Sequence, residues 1–417
     1  MSEQNPSTDL NVKYIVDNAE LAKACALLKE AAVLALDTEF VRTNTFYPKP
    51  GLIQIGNRKE IFLLDPLTVT EWQPFLALLS DSNITKLLHS GSEDLVLFQH
   101  TFGQLPEPLF DTQKAAAFLG YGANISYLNM VKELIGVELE KGETRSDWCA
   151  RPLSERQLHY AALDVHYLPD IFQVLHQQLL DKGYLSWLQD ECQQMLDTAW
   201  QNEDQDLWPL LFLNVGSAWR LNPQQLAVLQ QLVIWRETIA RERNKPRSWI
   251  AKDAELVLLV QHRPEDRQAL SALKDVSKSL QQRDGDAILA ILHQKVALSS
   301  EFNEMADTLR AMSGQPLPPA LRPAIKRLQR AVTTVAEGTG IAPELLAKKK
   351  VLIEFLQSNR HCQSMERLIW PGAIDGWRRT LLQEPLFHAL HDKAPHDKTS
   401  HETPNVNALE NPPGHQS

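Results

Sequence analysis

The pattern of apolar residues changes near residue 206, and this change limits the possible folds of the 417-residue chain more strongly than any other feature. Before that point, short apolar runs that suit strands alternate with segments whose apolar residues recur at helical spacing. Beyond it, Leu, Ala, Gln and Arg are common and clusters of β-branched residues are rare. Strands that alternate with helices are typical of an α/β domain. We therefore predict an α/β domain over residues 12–206, followed by segments that are entirely helical.

Four runs in the first half suit strands, and four other segments have the spacing of helices. The polar, proline-containing stretch 44–51 predicts a hairpin loop between the first two strands. The predicted strands are residues 32–36, 52–55, 61–64 and 85–89, and the predicted helices are residues 18–31, 70–79, 94–101 and 111–119.

The helical half contains two segments with related beginnings. Residues 223–240 and 320–337 each open near a proline, continue as an amphipathic helix and lead through a loop into another apolar segment. Two copies of a small bundle account for this repeat. We predict that they occupy residues 207–300 and 301–393.

The polar ends of the chain, residues 1–11 and 394–417, contain few apolar residues and are predicted to be disordered. No apolar run approaches the roughly 18 residues that a membrane-spanning helix requires, and the first residues lack the charged and then apolar build of a signal peptide. The four cysteines are widely spaced and none lies in a C-x-x-C pair, which argues against a disulfide framework or a zinc site. We expect a cytoplasmic protein without membrane association.

The net charge of −10 argues at first against a nucleic-acid partner, because Lys and Arg drive phosphate binding. The charge is unevenly distributed, however. Residues 1–206 contain 30 acidic and 15 basic side chains, a net charge of −15, whereas residues 207–417 contain 22 and 27, a net charge of +5. Such asymmetry hints at nucleic-acid contact, although two solvated surfaces of different composition explain it equally well.

Two acidic residues follow the apolar run at residues 32–36. Side chains alternate between the faces of a strand, so Asp37 and Glu39 are expected to project from the same face. Adjacent carboxylates repel each other, and a divalent cation relieves the repulsion because Mg²⁺ and Mn²⁺ prefer oxygen ligands. Taken alone, the pair is explained as simply by a strand end that reaches solvent.

A helix is predicted to begin after Ser154, since Ser154 and Gln157 fit a capping box. Along that helix Tyr160 and Asp164 are four residues apart and lie on one face, and the alanines between them allow close approach to the sheet. A phenol and a carboxylate are thereby aimed at one site. An amphipathic helix with a packed Tyr and a solvated Asp would show the same spacing.

Another carboxylate lies at the predicted start of the helix that follows residues 85–89. Asp94 is favoured there by the helix dipole and the free N–H groups, so capping explains it without a catalytic role. Glu93 is an equal candidate, and the spacing does not choose between the two.

The chain resembles the tyrosine-containing DEDDy branch of the DEDD exonuclease superfamily at three motifs in order, which are Asp37 to Glu39, Asp94 in HSGSEDL, and Tyr160 to Asp164 in YAALD. Over about residues 12–392 it is similar to the bacterial ribonuclease D family. The stretches that carry this similarity are LALDTEFVRTNTFYP, GLIQIG, KLLHSGSEDL, TRSDWCARPLSERQLHYAALDVHYL and the two helical repeats. The resemblance implies an RNase H-like α/β exonuclease domain with a mixed sheet, followed by two all-α HRDC-type bundles.

The reaction that this resemblance implies is hydrolysis from the 3′ end of RNA, with release of 5′-mononucleotides and with tRNA precursors as substrates. Two divalent cations, Mg²⁺ or Mn²⁺, are implied as cofactors that clamp the scissile phosphate. By resemblance, Asp37 binds both cations, Glu39 and Asp164 complete the first site, and Asp94 serves the second directly or through water. Tyr160 is implied to orient the attacking water.

Further residues are predicted to contact the substrate. Phe40 and Trp148 would stack on the terminal base and Arg42 would hold a phosphate, although Phe40 equally suits the core and Arg42 an acidic partner. The densest basic cluster of the helical half is predicted to guide RNA, although such runs are more often solvated faces. This basic cluster comprises Arg236, Arg241, Arg243, Lys245 and Arg247.

Two other functions stay open at this point. One is a DEDDy exonuclease that acts on DNA, because the catalytic carboxylates do not read the sugar. The other is a nucleic-acid-binding factor that has lost catalysis, against which the full set of acidic residues argues. P-loop and Rossmann glycine patterns are absent, so no nucleotide cofactor is expected. We expect a monomer.

Overall fold

The computed structural model of the protein describes residues 10–140, 142–143, 146–312 and 318–392. The predicted disordered tail at residues 394–417, and residues 1–9 of the predicted disordered start, lie outside the described residues. Residues 10–11 are ordered beside the first strand, where the carbonyl of Asn11 accepts a hydrogen bond from the Ile61 amide at 3.0 Å.

A mixed sheet of six strands forms the centre of the first half. The hairpin predicted around residues 44–51 is confirmed, since the second and third strands pair antiparallel. The first strand runs parallel to the fourth, and the second, fifth and sixth run parallel to one another. The strands, in the spatial order β1-β4-β3-β2-β5-β6, are β1 Val12–Ile15, β2 Val33–Val41, β3 Lys49–Gly56, β4 Ile61–Leu64, β5 Thr85–Leu88 and β6 Leu109–Asp111.

Eight helices accompany the sheet within the described residues, and the five that were predicted, including the one after Ser154, are among them. The sheet and its helices bury a continuous apolar core, in which the side chains of β3 and β4 are almost fully covered. These helices are α1 Asn18–Leu28, α2 Gln73–Leu79, α3 Ser92–Phe102, α4 Thr112–Phe118, α5 Tyr127–Ile135, α6 Glu155–His166, α7 Leu168–Lys182 and α8 Leu185–Gln201.

The sequence around Ser154 sets the start of α6. The capping box is present: the Ser154 hydroxyl accepts from the Gln157 amide at 3.2 Å, and the Gln157 side chain accepts from the Ser154 amide at 3.0 Å. Ala161 and Ala162 are fully buried where α6 packs on β2, β3 and β4. Their small side chains bring the helix axis close to the sheet.

The first helical bundle has an apolar core of its own. Ala306 and Leu309 belong to that core, although the predicted boundary between the bundles lies at residue 300. We therefore propose a boundary beyond residue 312. The bundle contains 3-10 turns at Gln205–Asn214 and Ala218–Arg220 and the helices α9 Pro223–Glu242, α10 Arg247–Ile250, α11 Asp253–His262, α12 Arg267–Ser271, α13 Lys278–Leu292 and α14 Ser300–Met312.

The second helical bundle shares the core of the sheet domain. Trp377 lies between Phe118 and Trp187, with ring centroids 4.9 and 5.4 Å away, and the guanidinium of Arg378 contacts the buried carboxylate of Glu191 at 2.5 and 2.8 Å. The bundle contains 3-10 turns at Pro319–Leu321 and Met365–Arg367 and the helices α15 Arg322–Thr339, α16 Pro343–Leu346, α17 Lys349–Asn359 and α18 Gly376–His391.

Candidate active site

The second strand carries two carboxylates beyond the end of its parallel neighbour. β2 pairs with β5 only over its first residues, Val33 to Ala35, and then continues to Asp37 and Glu39. On its other side, β2 remains paired with β3 as far as Val41, with an irregularity after Glu39. The two acidic side chains therefore project from a strand that is held on one side only.

Helix α6 brings a third carboxylate to this strand. One oxygen each from Asp37, Glu39 and Asp164 lies within 4.8 Å of the other two. The helix reaches the strand because its alanine face packs directly on β2. The predicted convergence of the strand pair and the helix is therefore present in the structure.

The three carboxyl groups are buried enough to resist ionisation together. Burial, followed by the charges of Asp94, Asp164 and Glu39, raises the pKa of Asp37 well above its ordinary value. Burial raises the pKa of Glu39 to about 9 and that of Asp164 to about 7. Other carboxylates, and not a basic neighbour, contribute the charge effects that act on Asp37 and Glu39. A divalent cation with oxygen ligands is the group that such a cluster accommodates.

Asp94 lies beside this cluster in the first turn of α3. It is 7% exposed, and its carboxylate accepts a hydrogen bond from the Thr38 hydroxyl at 2.5 Å. Burial raises its pKa to about 6. Glu93, the competing candidate, is exposed and paired with Arg42. These contacts favour Asp94 over Glu93, although Asp94 does not belong to the 4.8 Å set.

The Tyr160 phenol completes the site from α6. Burial, with the charges of Asp164 and Glu39, raises the pKa of its hydroxyl above the ordinary value. The phenol is therefore protonated at neutral pH and available as a hydrogen-bond donor or acceptor. Its ring lies 6.2 Å from that of Trp148, between centroids.

The residues predicted to contact the substrate base and phosphate differ in exposure. Phe40 is half-buried beside the acidic strand. Arg42 is bound by Glu93 and by the Phe46 carbonyl, at 3.0 Å for the latter. Trp148 is 1% exposed, and this burial favours a packing role over the predicted stacking role.

The basic cluster of the first bundle faces the loop between β2 and β3. The side chain of Arg241 is 11% exposed, binds Glu203 at 3.0 Å and Glu237 at 2.7 Å, and stacks on Phe46. Arg247 also binds Glu237, at 2.6 Å. These contacts favour a structural role for both arginines.

The other members of the basic cluster also make contacts within the protein. Arg236 is 7% exposed and binds Asp253 at 2.6 Å. The guanidinium of Arg243 binds Asp284 of its own bundle at 2.5 and 2.9 Å. Lys245 reaches the Asn44 carbonyl at 3.4 Å and lies 5.9 Å above the exposed Trp249 ring. Contact of these residues with RNA stays a prediction.

Three segments of the chain match known protein families. Residues 12–180 match a 3′-5′ exonuclease family, residues 225–292 match the HRDC domain, and residues 319–386 match the C-terminal HRDC domain of ribonuclease D. Over 91% of its length the chain is 38% identical to ribonuclease D of Pseudomonas paraeruginosa, of which it covers 97%. The chain belongs to the ribonuclease D family. This finding confirms the predicted family and enzyme class.

A solved ribonuclease D structure has the same architecture. The Escherichia coli enzyme, described as an exoribonuclease involved in structured RNA processing, superposes with a TM-score of 0.74 at 36% identity over 91% of this chain and 99% of that one. The predicted fold class, an α/β exonuclease domain with a mixed sheet followed by two helical HRDC domains, is confirmed. The residue boundaries of the domains stay predictions. No helix within the described ranges is long and apolar enough to cross a membrane.

One contributor to the ribonuclease D site was not predicted. Thr38 lies between the two acids of the strand, and its hydroxyl donates a hydrogen bond to Asp94. A threonine in the middle of an Asp-x-Glu motif carries no visible signal, because its partner is 56 residues away in sequence.

Proposed function

We propose that the protein is a divalent-metal-dependent 3′-5′ exoribonuclease that trims tRNA precursors and releases 5′-mononucleotides. The convergence of Asp37, Glu39 and Asp164 on one half-buried site is the observation that carries this proposal. Membership of the ribonuclease D family supports RNA as the substrate class. We place the activity in the cytoplasm and expect the chain to act as a monomer.

The donor set fits hard divalent cations such as Mg²⁺ or Mn²⁺. Asp37, Glu39 and Asp164 would hold one cation, and Asp37 and Asp94 would hold the second, directly or through water. When bound, the cations activate the attacking water as Lewis acids and stabilise charge on the phosphate and the leaving 3′ oxygen. Without them, the burial and mutual repulsion of the acids keep the pKa values raised.

Three further residues have roles in the proposed reaction. The Tyr160 hydroxyl, protonated beside Asp164, orients the attacking water. Thr38 fixes the Asp94 carboxylate through its hydrogen bond. Phe40 lies next to the acids on β2, where a terminal base would stack on its ring.

The proposal is tested with oligomers that carry free 3′ ends. Purified protein with Mg²⁺ should release 5′-mononucleotides from RNA much faster than from DNA of the same sequence. Asp164→Asn should lower kcat by about 100-fold or more, whereas Glu155→Gln, on an exposed position of the same helix, should leave kcat unchanged. Full activity of Asp164→Asn would contradict the catalytic site, and faster cleavage of DNA would contradict the substrate. A 3′-extended tRNA precursor, compared with an unstructured RNA of equal length, tests the tRNA assignment.

A further inference from the structure

Arg151 lies in the loop that precedes α6, and hydrogen bonds occupy its whole guanidinium group. Its Nε and Nη2 donate to the two carboxylate oxygens of Asp65, each at 2.7 Å. Its Nη1 donates to the carbonyls of Trp148 and Ala150 at 2.9 and 2.8 Å, and Nη2 also donates to the Gly51 carbonyl at 2.7 Å. A guanidinium has five N–H groups. This one side chain therefore ties the loop to β3 and to the residue that follows β4.

Asp65 is a fixed anchor for that guanidinium. It is 1% exposed and also accepts hydrogen bonds from the Tyr14 hydroxyl and, at 2.9 Å, from the Leu67 amide. Burial acts to raise the pKa of Asp65, but the hydrogen bonds from Arg151, Tyr14 and Leu67 outweigh it and hold the pKa below its ordinary value. A bidentate contact between two charged groups fixes orientation as well as distance.

Trp148 connects this network to the active site. Its carbonyl binds Arg151, its ring is 1% exposed, and the ring contacts that of Tyr160. The backbone of Trp148 also lies tightly against β3, since a Cβ atom at Gly51 would come within 2.6 Å of the Trp148 carbonyl oxygen. Arg151 therefore holds the residue against which the phenol packs.

We propose that Arg151 is a positioning residue for Tyr160. The inference rests on the proposed function, in which the Tyr160 hydroxyl orients the attacking water. Arg151 bonds none of the cluster acids, and its effect passes through Trp148 to the Tyr160 ring. Misplacement of a catalytic group by about 1 Å costs roughly 100-fold in rate, so a small movement of Trp148 is sufficient to slow turnover.

The test is a double-mutant cycle with Arg151→Lys and Tyr160→Phe. Lysine keeps the positive charge at position 151 but lacks the planar guanidinium group that makes the bidentate contact with Asp65. We expect Arg151→Lys alone to lower kcat on RNA oligomers about tenfold, with little change in KM. In the Tyr160→Phe background, Arg151→Lys should lower kcat less than about twofold, because the hydroxyl that it positions is absent. An equal loss in both backgrounds, or no loss in either, would overturn the proposal.

Arg58→Lys is the matched control. Arg58 also pairs with a carboxylate, Asp170, but both side chains are substantially exposed. The control should leave kcat unchanged in both backgrounds. If Arg151→Lys fails to fold, Gly51→Ala supplies a second variant, since the added methyl group displaces Trp148, whose carbonyl Arg151 binds, while the guanidinium group itself is kept. Gly51→Ala should show the same dependence on Tyr160, and a loss independent of Tyr160 would count against the proposal.

A measurement without turnover separates this inference from the proposed function. Carbon labelling of the ring Cζ atoms gives NMR signals for the seven tyrosines, and the Tyr160 signal is assigned by its loss in Tyr160→Phe. Arg151→Lys in the metal-free protein should shift or broaden the Tyr160 signal and leave that of Tyr47 unchanged. An unmoved Tyr160 signal would overturn the positioning role even if the enzyme cleaves RNA. If the signal moves but Tyr160→Phe keeps full activity, Arg151 positions the ring but the phenol does not have the proposed catalytic role.

Discussion

Single residues in the acidic cluster are held in an arrangement that is electrostatically unfavourable without a cation. Asp37, Glu39 and Asp164 lie close together and half-buried. The charge of Asp164 raises the pKa of both Asp37 and Glu39, and the charge of Glu39 raises that of Asp37. Alternation along the strand and the four-residue spacing on the helix predict which faces carry these acids. Neither pattern predicts that the two faces meet, because that depends on how α6 packs on β2.

Cation binding should release protons from the site. The pKa values of about 9 for Glu39, about 7 for Asp164 and about 6 for Asp94 mean that the metal-free site retains protons near neutral pH. A cation binds the deprotonated carboxylates, so its affinity should rise with pH and more protons should leave near pH 6 than near pH 8. Calorimetry of Mg²⁺ binding in buffers of different ionisation enthalpy measures the number of protons released at each pH. Proton release that is zero at both values would contradict the raised pKa values.

Tyr160 and Asp164 should respond differently to substitution. Tyr160→Phe removes only a hydroxyl that is not expected to bind metal, so Mn²⁺ affinity should stay within about twofold while kcat falls by 100-fold or more, the size of a lost water-orienting group. Asp164→Asn should weaken both metal binding and turnover. Calorimetric titration with Mn²⁺, beside single-turnover kinetics, checks this division. Equal losses of metal affinity in the two variants would argue that the phenol is a ligand.

At the level of elements, apolar runs decide what the sequence reveals. The predicted strands at residues 32–36, 52–55, 61–64 and 85–89 are present in the structure, whereas β1 and β6 were not predicted. β6 has only three residues, and β1, which is as short as β4 and β5, lacks their adjacent leucines. Both form because neighbouring strands offer unpaired backbone groups. Of the two, β1 continues the sheet beyond β4, and its Tyr14 reaches Asp65.

Helix α6 should lose stability when its N-cap is removed. Ser154→Ala deletes the hydroxyl that accepts from the Gln157 amide, and such substitutions cost about 1 kcal/mol of unfolding free energy. Ser154→Asp keeps a capping oxygen and should stay close to wild type. Urea unfolding of the three proteins gives the comparison. A wild-type midpoint for Ser154→Ala would mean that tertiary packing alone holds the start of the helix.

For the whole molecule, the distribution of charge along the chain indicates the domain organisation better than the net charge does. The acidic first half contains the carboxylate cluster, and the basic second half contains the two HRDC domains. The basic cluster shows what the distribution of charge does not reveal. Its Arg241 is covered by Glu203, Glu237 and Phe46, and a sequence does not show that a run of charge lies at an interface.

The contact between the sheet domain and the second bundle should depend strongly on Arg378. Arg378→Ala leaves Glu191, 3% exposed, with Lys114 at 3.7 Å and the Trp377 indole N–H at 3.4 Å but without its guanidinium partner, so the unfolding free energy should fall by about 3 kcal/mol. Arg379→Ala, the neighbouring exposed arginine above Trp370, should cost less than about 1 kcal/mol. Denaturant unfolding, monitored by tryptophan fluorescence, measures the unfolding free energy of both variants. An equal loss of unfolding free energy in the two variants would show that the Arg378–Glu191 ion pair is not a principal contact between the sheet domain and the second bundle.

The shared core also determines when the catalytic half finishes folding. The sheet domain leaves the ribosome first, but Phe118 and Trp187 are covered by Trp377, which is synthesised close to the end of the described chain. During translation these rings stay exposed until the second bundle has emerged, and exposed apolar surface attracts chaperones. The interior of the sheet domain is therefore complete only after Trp377 has left the ribosome.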